Sequence, residues 1–146
     1  MRVSVVGGGT ITDAEYEQAR DVGRLLAQRG HTVVCGGRTG VMEAVCRGAR
    51  EEGGETIGVL PGEDSRAANE YVTTPIATGL GNARNVLVVL NGDAAIAIDG
   101  STGTLSEIAH ALDLGRPVAG LGTHDVAGVE AAESAAEAVE YVEASV

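Results

Sequence analysis

The stretch Asp99–Glu107, DGSTGTLSE, decides how this chain folds and where its function lies. It follows an apolar run, Ala94–Ile98, and precedes a helical pattern from Leu105 to Leu114. A strand, a small-residue turn and a helix in this order present backbone N–H groups to an anion at the helix N-terminus. We expect Glu107 to lie in the first helical turn, beside these groups. The segment therefore predicts a ligand site and favours a ligand that carries phosphate.

The composition predicts one domain with an aliphatic core. The chain has 146 residues, 22 of them glycine, with three tyrosines and no tryptophan or phenylalanine. This length supports one sizeable core, built here from small aliphatic side chains. No apolar run approaches the ~20 residues of a membrane span, and the N-terminal residues lack a signal-peptide pattern. Two cysteines, Cys35 and Cys46, are too few for a disulfide framework or a metal cluster. We expect residues 1–146 to form one domain of a cytoplasmic protein, with both thiols buried.

The charge argues against two classes of partner. All ten basic residues are arginine, and 21 acidic residues give a net charge of −11. Such a surface repels nucleic acid and anionic membranes, so we expect neither as a partner. The acid excess suggests a halophilic protein, because salt weakens self-repulsion. A genome composition that favours arginine over lysine is the alternative explanation. The absence of lysine excludes Schiff-base chemistry and a phosphate-loop lysine.

Strands and helices alternate along the chain. Apolar runs predict strands at Arg2–Val6, Thr32–Cys35, Thr56–Leu60, Tyr71–Ala77, Ala94–Ile98 and Pro117–Leu121. Helices are predicted after the capping box that begins at Thr12, from Val41 to Ala49, from Leu105 to Leu114 and from Val129 to Ala144. Pro75 places its strand at a sheet edge or frays it. Continuous apolar strands joined by helices indicate an α/β fold with a parallel sheet covered on both faces.

One segment fits two structures. The apolar runs Val86–Leu90 and Ala94–Ile98 flank Asn91-Gly92, which is typical of a β-hairpin. Alternatively, residues 82–90 form a buried helix with Gly92 as its C-terminal cap. Local pattern slightly favours the hairpin. The alternation of strands and helices elsewhere favours the helix, because parallel neighbours need a crossover.

Several motifs together resemble one family. The segment Cys35–Val45, CGGRTGVMEAV, resembles the second glycine loop of the Lonely Guy proteins and their relatives. Those relatives include molybdenum-cofactor carrier proteins and sequences labelled "possible lysine decarboxylase". Thr56–Pro61 matches the third strand of the family, and Gly100–Glu107 resembles its P-G-G-x-G-T-x-x-E signature. Arg84 lies as far before that signature as the functional arginine of the family.

The resemblance covers residues 2–121 and is closer to the short carrier-like branch than to the hydrolases. It implies a Rossmann-like fold, a helix at residues 82–90 and self-association. Three positions depart from the family pattern: Asp99 replaces proline, Ser101 replaces the second glycine, and Asn85 replaces a basic residue of the hydrolases. The departures weigh against hydrolysis more than against ligand binding. The decarboxylase label fails because a pyridoxal-phosphate enzyme needs a lysine.

Our first hypothesis is a binding or carrier protein for a nucleotide or a pterin such as the molybdenum cofactor, with no other cofactor expected. The glycine turns would line a crevice at the carboxyl edge of the sheet. The candidate residues are Gly8, Gly9, Thr10, Gly36, Gly37, Arg38, Thr39, Gly40, Gly100, Ser101, Thr102, Gly103 and Thr104. The first turn does not meet the dinucleotide fingerprint, because Thr12 occupies its third glycine position, so NAD is disfavoured.

The second hypothesis is an enzyme that hydrolyses the N-glycosidic bond of a nucleoside monophosphate. Arg84 would then orient the ribose phosphate, and Glu107 would assist the attacking water or stabilise the transition state. The third is an inactive ligand-sensing module. Two structural alternatives stay open: Thr104 and Glu107 are spaced as a capping box, and Arg84, taken alone, is typical of a solvated helix residue.

We also expect a homodimer or a higher homo-oligomer. Five consecutive apolar residues, Val86–Leu90, give a helix more apolar surface than one sheet face covers. A two-fold pairing of these helices would bury the excess in both copies. The alternative is that the helix Leu105–Leu114 of the same chain covers it.

Overall fold

The protein, described here as a computed structural model of residues 1–146, is built on one seven-stranded, all-parallel sheet. The strand order is β4-β3-β2-β1-β5-β6-β7. The strands are β1 (Arg2–Gly7), β2 (Thr32–Cys35), β3 (Thr56–Leu60), β4 (Thr74–Ala77), β5 (Ala94–Ile98), β6 (Val118–Leu121) and β7 (Val129–Ala131). The predicted parallel α/β sheet is confirmed.

Five α-helices connect or flank the strands. They are α1 (Asp13–Gln28), α2 (Val41–Glu51), α3 (Asn85–Leu90), α4 (Thr102–Asp113) and α5 (Ala135–Ser145), with short 3₁₀ turns at Ser65–Ala67 and Gly81–Arg84. Helix α1 begins with the predicted capping box: Thr12 Oγ1 accepts the Glu15 N–H at 3.2 Å, and Glu15 Oε1 accepts the Thr12 N–H at 3.1 Å. None of the helices combines the length and apolar character that a membrane crossing requires.

Alternate residues of the central strands face two separate cores, one on each side of the sheet. Helices α1, α2 and α5 cover the first core, where Val22, Val45 and Val139 are fully buried. Helices α3 and α4 cover the second, around Val88 and Ile108. Both faces of the central strands are therefore apolar, which explains their continuous apolar sequence.

Residues 82–90 form a 3₁₀ turn and a helix, so the hairpin favoured by local pattern is wrong. The physical reason is that β5 pairs in parallel with β1, which requires a crossover before β5. Gly92 is not a left-handed cap, because it is absent from the positive-φ residues. It is needed for close packing instead: a Cβ at Gly92 would lie 2.1 Å from Ser4 Oγ.

The C-terminal segment also differs from prediction. A single helix from Val129 was expected, but Val129–Ala131 is strand β7, paired with Val118–Gly120 at the sheet edge. Helix α5 begins only at Ala135, because Ser134 caps it by accepting the Glu137 N–H at 3.2 Å. At the opposite edge, β4 contains Pro75 and is exposed throughout, as predicted.

Helix α4 covers much of the apolar surface of α3. Val88 and Val89 are buried in the second core, whereas Leu90 is 45% exposed. This contact corresponds to the alternative in which a neighbouring helix of the same chain covers the segment. Self-association through Leu90 and its surroundings stays a prediction.

Helices α1 and α2 cross with their backbones in contact. A Cβ at Gly23 would lie 2.0 Å from the Val45 carbonyl oxygen, and a Cβ at Gly48 would lie 1.9 Å from the Arg20 carbonyl oxygen. Both glycines are buried inside helices, where alanine is intrinsically favoured over glycine. The contact therefore overrides helix propensity at both positions.

We expect Gly48→Ala to destabilise the protein by about 2–3 kcal/mol, because the new methyl group has to push two backbones apart. Urea unfolding measures the change. Gly62→Ala is the matched control, since a Cβ there meets nothing within 4 Å and the backbone is not left-handed. A Gly48→Ala variant as stable as the control would contradict the tight crossing.

Candidate functional site

A cleft opens at the carboxyl edge of the sheet, between the ends of β1 and β5. The strand order reverses direction here, and such a switch point is where open α/β sheets bind ligands. Most of its lining is polar or glycine. The lining residues are Val5, Val6, Gly7, Gly8, Gly9, Gly36, Met42, Asn82, Arg84, Asn85, Ser101, Gly103, Thr104 and Glu107.

The start of helix α4 forms one wall of the cleft. The first intrahelical bond runs from the Leu105 N–H to the Ser101 carbonyl at 3.0 Å, so the amides of residues 102–104 precede the helical ladder. Ser101 is the N-cap residue, and its side chain makes no capping bond. Gly100 has a φ of 102°, and a Cβ there would meet Thr104 Oγ1 at 2.2 Å. The wall therefore offers free N–H donors, as predicted.

Glu107 lies in the second turn of α4, not the first, because the helix begins at Thr102 rather than Leu105. The capping-box interpretation is therefore wrong: Thr104 is already inside the helix. Glu107 is 8% exposed, and no hydrogen bond contributes to the pKa of its carboxyl. Burial raises the pKa of this carboxyl to about 7, although the nearby Arg84 charge acts in the opposite direction.

Arg84 ends the 3₁₀ turn Gly81–Arg84, and its guanidinium is buried beside Glu107. The residue is 7% exposed, so it is not a solvated helix residue. Nη1 donates to Asn85 Oδ1, while Nε is buried and has no partner. Burial lowers the pKa of Arg84, and the Glu107 charge partly restores it. The two opposite charges face one cleft without forming a direct ion pair.

The second glycine turn supports the cleft from the β2 side. A Cβ at Gly36 would lie 2.8 Å from Arg84 Nη2, so a side chain here would displace the guanidinium from its present position. The Cys35 thiol accepts the Gly37 N–H at 3.3 Å and lies 3.5 Å from the Cys46 sulfur, and both cysteines are free. The end of the turn packs on the first glycine turn, where a Cβ at Gly40 would lie 2.2 Å from the Gly8 carbonyl oxygen.

The structure brings together eight of the fifteen predicted site residues. Gly8, Gly9, Gly36, Arg84, Ser101, Gly103, Thr104 and Glu107 line the cleft. The remaining seven, Thr10, Gly37, Arg38, Thr39, Gly40, Gly100 and Thr102, lie outside its lining. Some of them support it: Thr39 Oγ1 donates to the Gly9 carbonyl at 3.0 Å.

Six residues of the lining are not among the fifteen predicted site residues: Val5, Val6, Gly7, Met42, Asn82 and Asn85. Asn85 had been noted only as a departure from the hydrolase pattern. Asn82 and Asn85 lie on either side of Arg84 in the sequence. The hairpin alternative does not place these three residues in one helical segment, whereas the structure does. Gly7 is required by contact, since a Cβ there would lie 2.3 Å from the Ile98 carbonyl oxygen.

Asp99 adopts a left-handed backbone, with a φ of 50°, and is the one non-glycine residue with positive φ. It is not in the lining of the cleft. A Cβ at Gly8 would lie 2.9 Å from Asp99 Oδ2. The carboxylate thus lies behind the first glycine turn, so it does not stand in the cleft itself.

Some of the arginines form ion pairs with carboxylates and others do not. Arg20, Arg24, Arg29, Arg47 and Arg66 form ion pairs with carboxylates. Arg38 and Arg84, near the carboxyl edge, form none, and Arg38 is close enough to lower the pKa of Arg84 by repulsion. Two arginines without an ion-pair partner therefore lie near the cleft of a protein of net charge −11, and the charge of Glu107 acts on Arg84 from within the same cleft.

Comparison with known proteins identifies the relatives of this chain. The solved structure of the molybdenum cofactor binding protein from Rippkaea orientalis superposes with a TM-score of 0.92 and 35% sequence identity, and the match covers 98% of this chain and 95% of that one. The Moco carrier protein from Chlamydomonas reinhardtii superposes with a TM-score of 0.89 and 35% sequence identity, over the same shares of the two chains. These neighbours are named for binding or carrying a small ligand.

A cytokinin riboside 5′-monophosphate phosphoribohydrolase from Mycobacterium tuberculosis is 36% identical over 127 residues, which are 84% of this chain and 66% of that protein. The predicted resemblance to Lonely Guy and carrier proteins, and the Rossmann-like fold, are therefore confirmed. A model of the SLOG cluster4 family matches residues 1–145, and the chain belongs to that family.

Proposed function

We propose that this protein binds and carries a small ligand with a phosphate group, a nucleotide or a pterin of the molybdenum-cofactor type. The observation that carries the proposal is the buried, unpartnered Nε of Arg84, which lies in the same cleft as the free amides at the start of α4. A buried donor without a partner is costly in a folded protein. An oxyanion between Arg84 and Gly103 would satisfy both sets of donors.

The size of the cleft indicates which end of the ligand it holds. Its enclosed part measures about 170 Å³, below the roughly 300–1,000 Å³ of pockets that engulf a drug-sized molecule. A phosphate and an adjoining group would fit, and the rest of the ligand would extend over the exposed Gly9 and Ser101. Such partial enclosure suits a carrier, which has to release its cargo. The two superposed proteins named for molybdenum-cofactor binding support this interpretation.

Native mass spectrometry of freshly purified protein tests the proposal. We expect a bound small molecule that contains phosphorus and is released on denaturation. Arg84→Met should lose it, because a hydrogen bond to a charged group contributes about 1.5–3 kcal/mol, or roughly 10- to 100-fold in affinity. Arg24→Met is the matched control, since Arg24 pairs with Asp21 on α1. Protein that never carries or binds a phosphate compound would refute the proposal.

A second function, hydrolysis of the N-glycosidic bond of a nucleoside monophosphate, is favoured by one observation. Glu107 is a buried carboxyl with a pKa of about 7, which suits a group that takes up and releases protons near neutral pH. The same cleft contains Arg84, which would hold the phosphate. The relative from Mycobacterium tuberculosis, 36% identical, is named for this chemistry.

If the protein is a hydrolase, Glu107→Gln should lower release of adenine from AMP by about 100-fold or more, because a proton-transferring group is lost. Binding of AMP should be retained. Chromatographic detection of free base measures the rate, and Glu43→Gln on α2, outside the cleft, is the control. If the wild-type protein binds nucleoside monophosphates without releasing any base, the hydrolase alternative is wrong and the carrier function remains.

Anion binding should weaken as the pH rises from 6 to 8. Glu107 is protonated below its pKa of about 7, so it is neutral there and repels a bound anion only above that pH. We expect sulfate affinity to fall roughly tenfold over this range, about 1.4 kcal/mol of added repulsion. Sulfate is the probe because its own charge does not change over this range.

Calorimetric titration with sulfate at several pH values measures this dependence. Glu107→Gln should bind with an affinity that changes little with pH. Any slope left in this variant belongs to groups other than Glu107. An equally steep slope in the wild type and in Glu107→Gln would show that Glu107 is not responsible.

A further inference from the structure

We propose that Asn85 is a positioning residue: it orients the Arg84 guanidinium so that the Nε–Nη2 edge is left free to bind two oxygens of a phosphate. The inference rests on the proposed function and adds a residue that neither the motifs nor the comparisons assign. Asn85 is itself buried, 7% exposed, and lies at the first position of α3.

The hydrogen bonds around Asn85 have one consistent direction. A guanidinium only donates, so the Asn85 oxygen has to face Arg84 Nη1. The Asn85 amide nitrogen then donates to Ser106 Oγ at 3.2 Å, and the Ser106 hydroxyl donates to the Gly103 carbonyl at 2.6 Å. This chain fastens the guanidinium to the first turn of α4, the wall that supplies the free amides.

The hydrogen bond to Asn85 also determines which N–H groups of the Arg84 guanidinium remain available to a ligand. Nη1 is occupied, whereas Nε is buried without a partner. A Cβ at Gly36 would lie 2.8 Å from Nη2, so the glycine leaves space beside this nitrogen that a side chain would take up. Nε and Nη2 form the side edge of the guanidinium fork, and two parallel N–H groups of this kind match the oxygens of a phosphate.

An asparagine suits this position better than a charged residue. A carboxylate at position 85 would pair with Arg84 and compete with the ligand for its charge. A lysine at the same position could not accept the Nη1 hydrogen, so the guanidinium would lose its fixed orientation. The neutral amide accepts from Arg84 and donates to Ser106 at no cost in net charge. The departure at Asn85 from the hydrolase pattern therefore has a structural function.

A double-mutant cycle with inorganic phosphate as the probe tests the proposal. Asn85→Leu keeps the approximate volume and removes both hydrogen bonds, and we expect about tenfold weaker phosphate binding by calorimetry. In an Arg84→Met background, Asn85→Leu should cause no further loss, because Asn85 acts only through Arg84. Asn91→Leu is the matched control, since Asn91 lies at the exposed far end of α3 and bonds only to the Leu87 carbonyl.

The outcomes separate this inference from the proposed function. Wild-type protein that does not bind phosphate would overturn both. If the wild type binds phosphate but Asn85→Leu weakens binding equally with and without Arg84, Asn85 has a general structural role and the inference is wrong. If Asn85→Leu fails to fold, Ser106→Ala replaces it in the same cycle. That variant cuts only the outer bond, and we expect a loss of about two- to threefold that again disappears without Arg84.

Discussion

Close contact between backbones at glycine is the constraint on which this structure depends. Helices α1 and α2 touch through Gly23 and Gly48, and the end of β1 touches β5 through Gly7. Gly36 leaves the space that the Arg84 guanidinium occupies. Because the chain lacks tryptophan and phenylalanine, it fills its core by bringing backbones together rather than by inserting large side chains. The same backbone contacts determine the shape of the cleft.

The electrostatics of the cleft follow from this packing. Tight approach of β1, β2 and α4 excludes water from Arg84 and Glu107, so burial shifts the pKa values of both groups toward their neutral forms. The protein surface is strongly acidic, with a net charge of −11. A cation that is fixed in a buried position, with one edge free, can still attract an anion there because interior charges are screened less than surface charges.

Much of the fold could be predicted because its signals are local. The apolar strands Thr32–Cys35 and Thr56–Leu60 and the capping box at Thr12 have the predicted bounds. The structure of Val86–Leu90 could not be read from its own residues, because an apolar run with Asn-Gly fits two structures and only the parallel pairing of β1 with β5 decides between them. Strand β7 was missed because three residues beside an alanine-rich helix carry almost no pattern.

The candidate site was predictable in part for a similar reason. Motif residues such as Gly36, Arg84 and Glu107 come together because strand ends share one edge of a parallel sheet. Asn85 carries no such signal, since its importance lies in the directions of two hydrogen bonds. The start of α4 was placed three residues late because Ser101, its N-cap residue, makes no side-chain capping bond.

The two edge strands of the sheet, β4 and β7, affect how copies of this protein can associate. Strand β4 has four residues, one of them Pro75, which lacks a backbone N–H, and β7 has only three residues. Short edges with a missing donor are poor templates for an additional strand. Such edges therefore disfavour the joining of copies into a continuous sheet. Exposed apolar side chains occur on the helical surfaces, at Leu90, Leu105 and Leu114, and on the edge strand β4, at Ile76.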